Sequence, residues 1–198
     1  MKYIITIGRE YGSGGRFIAS KLAEKLGIRF YDNELLAKAA VESGLSNSVI
    51  ESYDEKKDGF FSGVVPSTFS ADLSIGQKVF LSQFETIKKI ADTESAVIVG
   101  RCADYVLEGK ENVVSIFITA SMAKKVERAT LYYNIDPKKA ESTINKMNKK
   151  RASYYNFYTD KKWGSAKSYD LCINSDIGVD ECVQIIMQFV SKKLNIEL

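Results

Sequence analysis

The stretch Ile5-Thr6-Ile7-Gly8-Arg9-Glu10-Tyr11-Gly12-Ser13-Gly14-Gly15-Arg16 constrains this chain more than any other. An apolar strand runs straight into a glycine-rich turn, and the turn into an amphipathic helix. Ile18, Leu22, Ala23 and Leu26 recur at the spacing of one helical face. Glycines at 8, 12, 14 and 15 free the backbone to turn its N–H groups around an anion. The positive end of the helix dipole adds to that attraction. This is the physics of a phosphate-binding loop and points to a nucleotide enzyme. A glycine-rich turn without a ligand is the competing reading. The loop departs from the pattern G-x-x-x-x-G-K-[ST], because Gly15 and Arg16 follow Gly14 where that pattern has lysine and a hydroxyl.

The chain contains no histidine, which excludes Ser-His-Asp and Cys-His catalysis. Phosphoryl transfer survives that exclusion, since it relies on positioning and on neutralising charge with Arg, Lys and Mg²⁺. Cys102, Cys172 and Cys182 are odd in number and widely spaced, so a structural zinc site is not expected. They read as reduced core or near-core residues in a cytoplasm. No run approaches the roughly 20 apolar residues that span a bilayer, and the N-terminus lacks the pattern of a secretory leader. The expectation is a cytoplasmic protein without membrane contact. Length and composition suit one domain over residues 1–198.

Apolar runs at Tyr3–Ile7, Ile28–Tyr31, Ala96–Gly100, Val113–Thr119 and Leu171–Asn174 read as buried strands. Helical patterns separate them at Gly14–Leu26, Asn33–Val41, Ala71–Ala91, Ala120–Ala129, Pro137–Tyr158 and Val179–Leu194. Such alternation predicts an α/β protein whose parallel sheet is covered on both faces, with ligands at the carboxyl ends of its strands. Gly8, Asp32 and Arg101 all fall there. Two stretches break the alternation: residues 44–92, with the polar Ser52–Asp58 and the loop around Phe60–Thr68, and residues 131–165. Insertions over the ligand edge read as lids, or as helical elaborations. Between Ser121 and Lys162, eleven Lys/Arg face four Asp/Glu, a basic block suited to anionic ligands or to a solvated helical face.

Clusters stand at the other strand ends too. Arg101, in Val97-Ile98-Val99-Gly100-Arg101-Cys102-Ala103-Asp104, can hold a second phosphate through paired bonds; a salt bridge to Asp104 is the alternative. Asp32 can orient a hydroxyl or a metal-bound water, or cap the helix that follows it. Together with Tyr31-Asp32, Thr119-Ala120-Ser121 and Arg151-x-x-Tyr154-Tyr155, these motifs resemble the cytidylate-kinase-like proteins over nearly the whole chain. The resemblance implies a three-layer P-loop kinase fold with a five-stranded parallel sheet, a helical monophosphate-binding insertion and a lid. It implies transfer of the γ-phosphoryl group of ATP to CMP or dCMP, with Mg²⁺. Gly12, Ser13 and Gly14 carry over to the donor phosphates, with Gly8, Arg9 and Gly15 completing that loop. Arg101 carries over to the acceptor phosphate, with Asp32 and Asp104 on the acceptor side. Arg128 and Arg151 resemble lid arginines that close on the transferred group.

Arg16 or Arg9 is left to supply the charge of the missing lysine, and Ser13, or Asp32 through a water, to hold the metal. Asn148 stands where related sequences tend to have aspartate. Two rival readings remain: a P-loop kinase of another small acceptor, and a protein without kinase activity that binds nucleotides or RNA. The second rests on Tyr154, Tyr155, Phe157, Tyr158 and Trp163 interleaved with Lys149, Lys150, Arg151, Lys161 and Lys162. The modest net charge of +3 and the demands of helix packing weigh against nucleic acid.

Overall fold

The structure, a computed structural model, describes residues 2–36 and 75–197. The helix expected beyond residue 36, and the Ser52–Asp58 and Phe60–Thr68 stretches, lie outside those residues. The five apolar runs become five strands: β1 (Ile4–Arg9), β2 (Arg29–Tyr31), β3 (Ala96–Val99), β4 (Val113–Thr119) and β5 (Leu171–Asn174). The helices are α1 (Gly15–Leu26), α2 (Ile75–Thr93), the short α3 (Ala103–Val106), α4 (Met122–Tyr133), α5 (Pro137–Thr159) and α6 (Val179–Leu194). All strand pairs are parallel, in the order β2-β3-β1-β4-β5.

Central strands covered on both faces are apolar along most of their length, and β1 places Ile4, Ile5 and Ile7 around a single buried polar residue, Thr6. Ile5 and Ile7, with Val97, Val99, Val114, Ile116 and Ile118, pack against Ile18 and Leu22 of α1 and Val183, Ile186 and Val190 of α6. The alternate residues Ile4, Ala96, Ile98 and Val113 pack on the opposite face against Ile87 and Ile90 of α2 and Val106 of α3. The period of two along each strand therefore sorts the side chains into two cores, one per face. This is the three-layer α/β architecture of P-loop kinases.

Local chemistry sets the helix ends. Ser121 caps α4 through the Lys124 amide, and Asp136 caps α5 ahead of Pro137. Asp180 and Glu181 open α6 while Lys192 and Lys193 close it, each favourable to the dipole. Two expectations shift. Helix α4 continues to Tyr133, four residues past its expected end, because Tyr132 packs on Phe17 and Tyr133 on Tyr11, with centroids 5.3 and 5.2 Å apart. Cys172 is exposed rather than near the core, since β5 is an edge strand and this side chain takes its open face; Cys102 and Cys182 are buried. Among the described residues no helix is long and apolar enough to cross a membrane.

Candidate active site

The parallel sheet delivers the ends of β1, β2 and β3 to one edge, and the glycine loop sits there between β1 and α1. Gly12 and Gly14 adopt φ of 77° and 74°, the left-handed region open to glycine. A Cβ on Gly12 would come within 2.8 Å of the Lys125 carbonyl oxygen. Gly14 caps α1 without a side-chain bond, leaving the first-turn amides free of a side-chain acceptor. Ser13 is buried, and its hydroxyl donates to the Glu10 carbonyl at 2.9 Å.

Three polar ties hold the loop from elements distant in sequence. The Glu10 carboxylate accepts from Thr119 Oγ1 at 2.6 Å and from Lys125 Nζ at 3.0 Å. Ser175 Oγ donates to the Ser13 carbonyl at 2.6 Å and accepts from Arg128 Nη1 at 2.9 Å. The Tyr11 amide donates to Asn148 Oδ1 at 2.7 Å. Lys125 and Ser175 escaped the sequence reading: a lysine in a basic block gives no sign of being buried, and a serine 162 residues from its partner gives no sign of contact.

Four arginines meet around this loop. Arg9 lies against Gly15 and Gly100, where added Cβ atoms would strike its side chain. Arg151, from α5, donates to the Arg9 carbonyl at 3.0 Å and lies 5.5 Å over the Tyr11 ring. Arg101 donates to Asn33 Oδ1 and lies 5.6 Å from the Tyr154 ring centroid. Arg128 crosses Gly14, its Cζ 3.5 Å from the position a Cβ would take there. Desolvation, then repulsion from Arg151 and Arg101, pulls Arg9 down to about 9, and burial lowers Arg151 as well. Such crowding of like charge is relieved by an anion. The backbone at Arg101 is also unusual: Gly100, Arg101 and Cys102 are consecutive left-handed residues with φ of 77°, 56° and 56°.

The remaining site residues have defined partners. Arg16 forks onto Asp32 Oδ2, from Nε at 3.0 Å and Nη2 at 2.7 Å. The other Asp32 oxygen accepts the Glu34 and Leu35 amides, so Asp32 does cap the helical turn after it. Burial alone would raise Asp32; the Arg16 bond and those amides outweigh it and hold the carboxyl below its ordinary value. Asp104 accepts from Tyr155 Oη at 2.6 Å, and burial raises its pKa. The structure thus gives Asp104 a tyrosine partner in place of the alternative bridge to Arg101. The Cys102 thiol is pushed up to about 12 by burial and by Asp104, which suits an inert core residue.

Neither residue expected to hold Mg²⁺ fits that role. Ser13 is enclosed and bonded within the loop, and both Asp32 oxygens are taken. Among the described residues no three acidic or cysteine side chains gather as a metal group.

The aromatics of α5 and of the segment that follows it are largely used internally. Tyr158 stacks on Phe80 at 3.9 Å, Tyr155 is buried, and Trp163 meets Phe117 edge-on at 5.3 Å. Phe157 is the one that stays well exposed.

Comparison with known proteins gives the family and the fold. The model of the cytidylate kinase-like family matches residues 4–177. A crystal structure of an uncharacterized protein from Eubacterium ventriosum ATCC 27560 is 34% identical, with a TM-score of 0.75, over 96% of this chain and 99% of that one. Shikimate kinase from Bacteroides thetaiotaomicron is 14% identical with a TM-score of 0.57, over 96% of this chain and 98% of that one. A gluconokinase from Sinorhizobium meliloti 1021 has the same identity and TM-score, over 98% and 94%. The last two share the fold. No curated protein matches the sequence.

Proposed function

The chain belongs to the cytidylate kinase-like family, and we propose that it transfers the γ-phosphoryl group of ATP to CMP or dCMP. The observation that carries this reading is the convergence of Arg9, Arg101, Arg128 and Arg151 on one glycine loop at the carboxyl edge of a parallel sheet. Loop amides and the α1 N-terminus receive the donor β- and γ-phosphates, chiefly at Gly12, Ser13, Gly14 and Gly15. Arg101 holds the acceptor phosphate, steadied by Asn33 and the Tyr154 ring. Asp32 bounds the acceptor side with Arg16 attached, and Asp104 acts there through Tyr155.

An oxygen of the acceptor phosphate, already anionic, attacks the γ-phosphorus. The bond from that phosphorus to the β,γ-bridging oxygen breaks, and ADP leaves with the electron pair. No general base is needed. Arg128 and Arg151 offset the charge on the group in transit.

The test is ADP release from ATP in Mg²⁺ buffer against CMP, dCMP, UMP, AMP, GMP and dTMP, with products identified by mass. CDP or dCDP is the expected product, and Arg101→Ala should lower kcat/KM by about 2–4 kcal/mol, mainly through the acceptor KM. Turnover confined to another acceptor would keep phosphoryl transfer and discard the cytidine assignment. No product from any of the six would remove nucleoside monophosphate kinase activity.

A further inference from the structure

Laid on G-x-x-x-x-G-K-[ST], this loop shows an exchange rather than a simple loss. The first glycine of the pattern falls on Arg9, the second on Gly14, and the lysine on Gly15. A cation has appeared at one end of the loop where glycine is usual, and glycine at the other where the cation is usual. The two changes are coupled in space. A Cβ on Gly15 would lie 2.6 Å from Arg9 Cβ and 3.1 Å from its Cγ, so no lysine fits at 15 while a side chain stands at 9. Gly15 is not among the glycines of positive φ, so the Arg9 side chain and not the backbone demands glycine there. The Arg9 guanidinium ends beside Gly100, whose φ of 77° calls for glycine on its own account.

The other candidate cation is committed, since Arg16 forks onto Asp32 and its side chain is 60% exposed. The Arg9 guanidinium, by contrast, has no hydrogen-bond or ion-pair partner among the described residues. A half-buried cation without a partner, crowded by Arg101 and Arg151 and set against a glycine loop, calls for an anionic ligand.

We propose that Arg9 replaces the phosphate-loop lysine, reaching the donor phosphates of ATP from the opposite end of the loop. The assignment rests on the reading of this loop as an ATP site. It also gives Gly15 a task, which is to leave room for that side chain.

ATP binding measured by titration calorimetry tests it, on the native chain, Arg9→Met, Gly15→Ala and the exchanged double variant Arg9→Gly/Gly15→Lys, with thermal melts to confirm folding. Arg9→Met keeps the bulk of the side chain and removes its charge, and should weaken ATP about 10–100-fold. Gly15→Ala should weaken ATP by displacing Arg9. The exchanged variant should recover most of the affinity that Arg9→Met loses. A folded Arg9→Met that binds ATP as tightly as the native chain overturns the proposal while leaving the kinase reading intact. An exchanged variant that folds but binds no better than Arg9→Met overturns the exchange of positions. A native chain that binds no ATP overturns both the reading of the loop and the inference built on it.

Discussion

Asp32 follows β2 with its two oxygens divided between tasks: one takes the amides that open the next helical turn, and the other takes the Arg16 fork. Its folded pKa lies below the ordinary value. A depressed carboxylate contributes stability that is present above its unfolded pKa, about 3.9, and is lost as pH falls through the folded one. Asp32→Asn removes the charge but keeps an oxygen that caps as well as aspartate does. The variant should therefore melt below the native chain at pH 7, with the gap closing as pH falls below about 4. Melting curves from pH 7 to pH 3 measure it, and a gap unchanged at pH 3 would disconnect the ion pair from stability. Both sequence readings of this residue were reasonable, because a carboxylate before a helix can cap and still present its second oxygen. Arg101 was less legible. Its left-handed backbone, at about 1–2 kcal/mol for a non-glycine residue, follows from a turn that its neighbours impose. Only the glycine at 100 hints at that turn.

Elements meet in this fold through apolar faces and through a few enclosed polar ties, and the two differ in how far they can be read from sequence. Strand and helix periodicities located all five strands and the stripe of α6, since each is a repeat of two or 3.6 residues within one segment. The tie between Glu10 of the loop and Lys125 of α4 joins residues 115 apart, so no local pattern contains it. Lys125 counts as one more cation in a basic block until the fold encloses it, leaving its side chain 8% exposed and that of Glu10 22%. Breaking such a pair from one side strands a charge, whereas removing both partners does not. Lys125→Met should cost about 2–3 kcal/mol in urea unfolding, and Glu10→Gln a similar amount. The double variant Glu10→Gln/Lys125→Met should cost clearly less than their sum. Strict additivity would mean that the two side chains stabilise the loop independently.

At the scale of the whole molecule, the strand order β2-β3-β1-β4-β5 puts the first strand in the centre, so its loop can be gripped from both sides. The β4 end reaches it through Thr119, the turn after β5 through Ser175, and α5 through Asn148 and Arg151. Alternation of strands and helices predicted the layers, and the glycine motif predicted the turn between β1 and α1 at the carboxyl edge. The grip itself depends on strand order, which periodicity does not encode. A ligand on this loop therefore bridges elements from one end of the chain to the other and should stabilise the fold as a unit. At 100 times its Kd, a ligand of the native state adds about 2.7 kcal/mol, and a domain of this size gains about 2–4 °C per kcal/mol. Saturating ATP should then raise Tm by about 5–10 °C. The groups gathered here are backbone amides and arginines, which recognise phosphate rather than a base. Inorganic tripolyphosphate should consequently raise Tm as well, and adenosine at the same concentration should leave it nearly unchanged. A shift produced by adenosine but not by tripolyphosphate would move the affinity from the loop to the base, and with it the role assigned to these arginines.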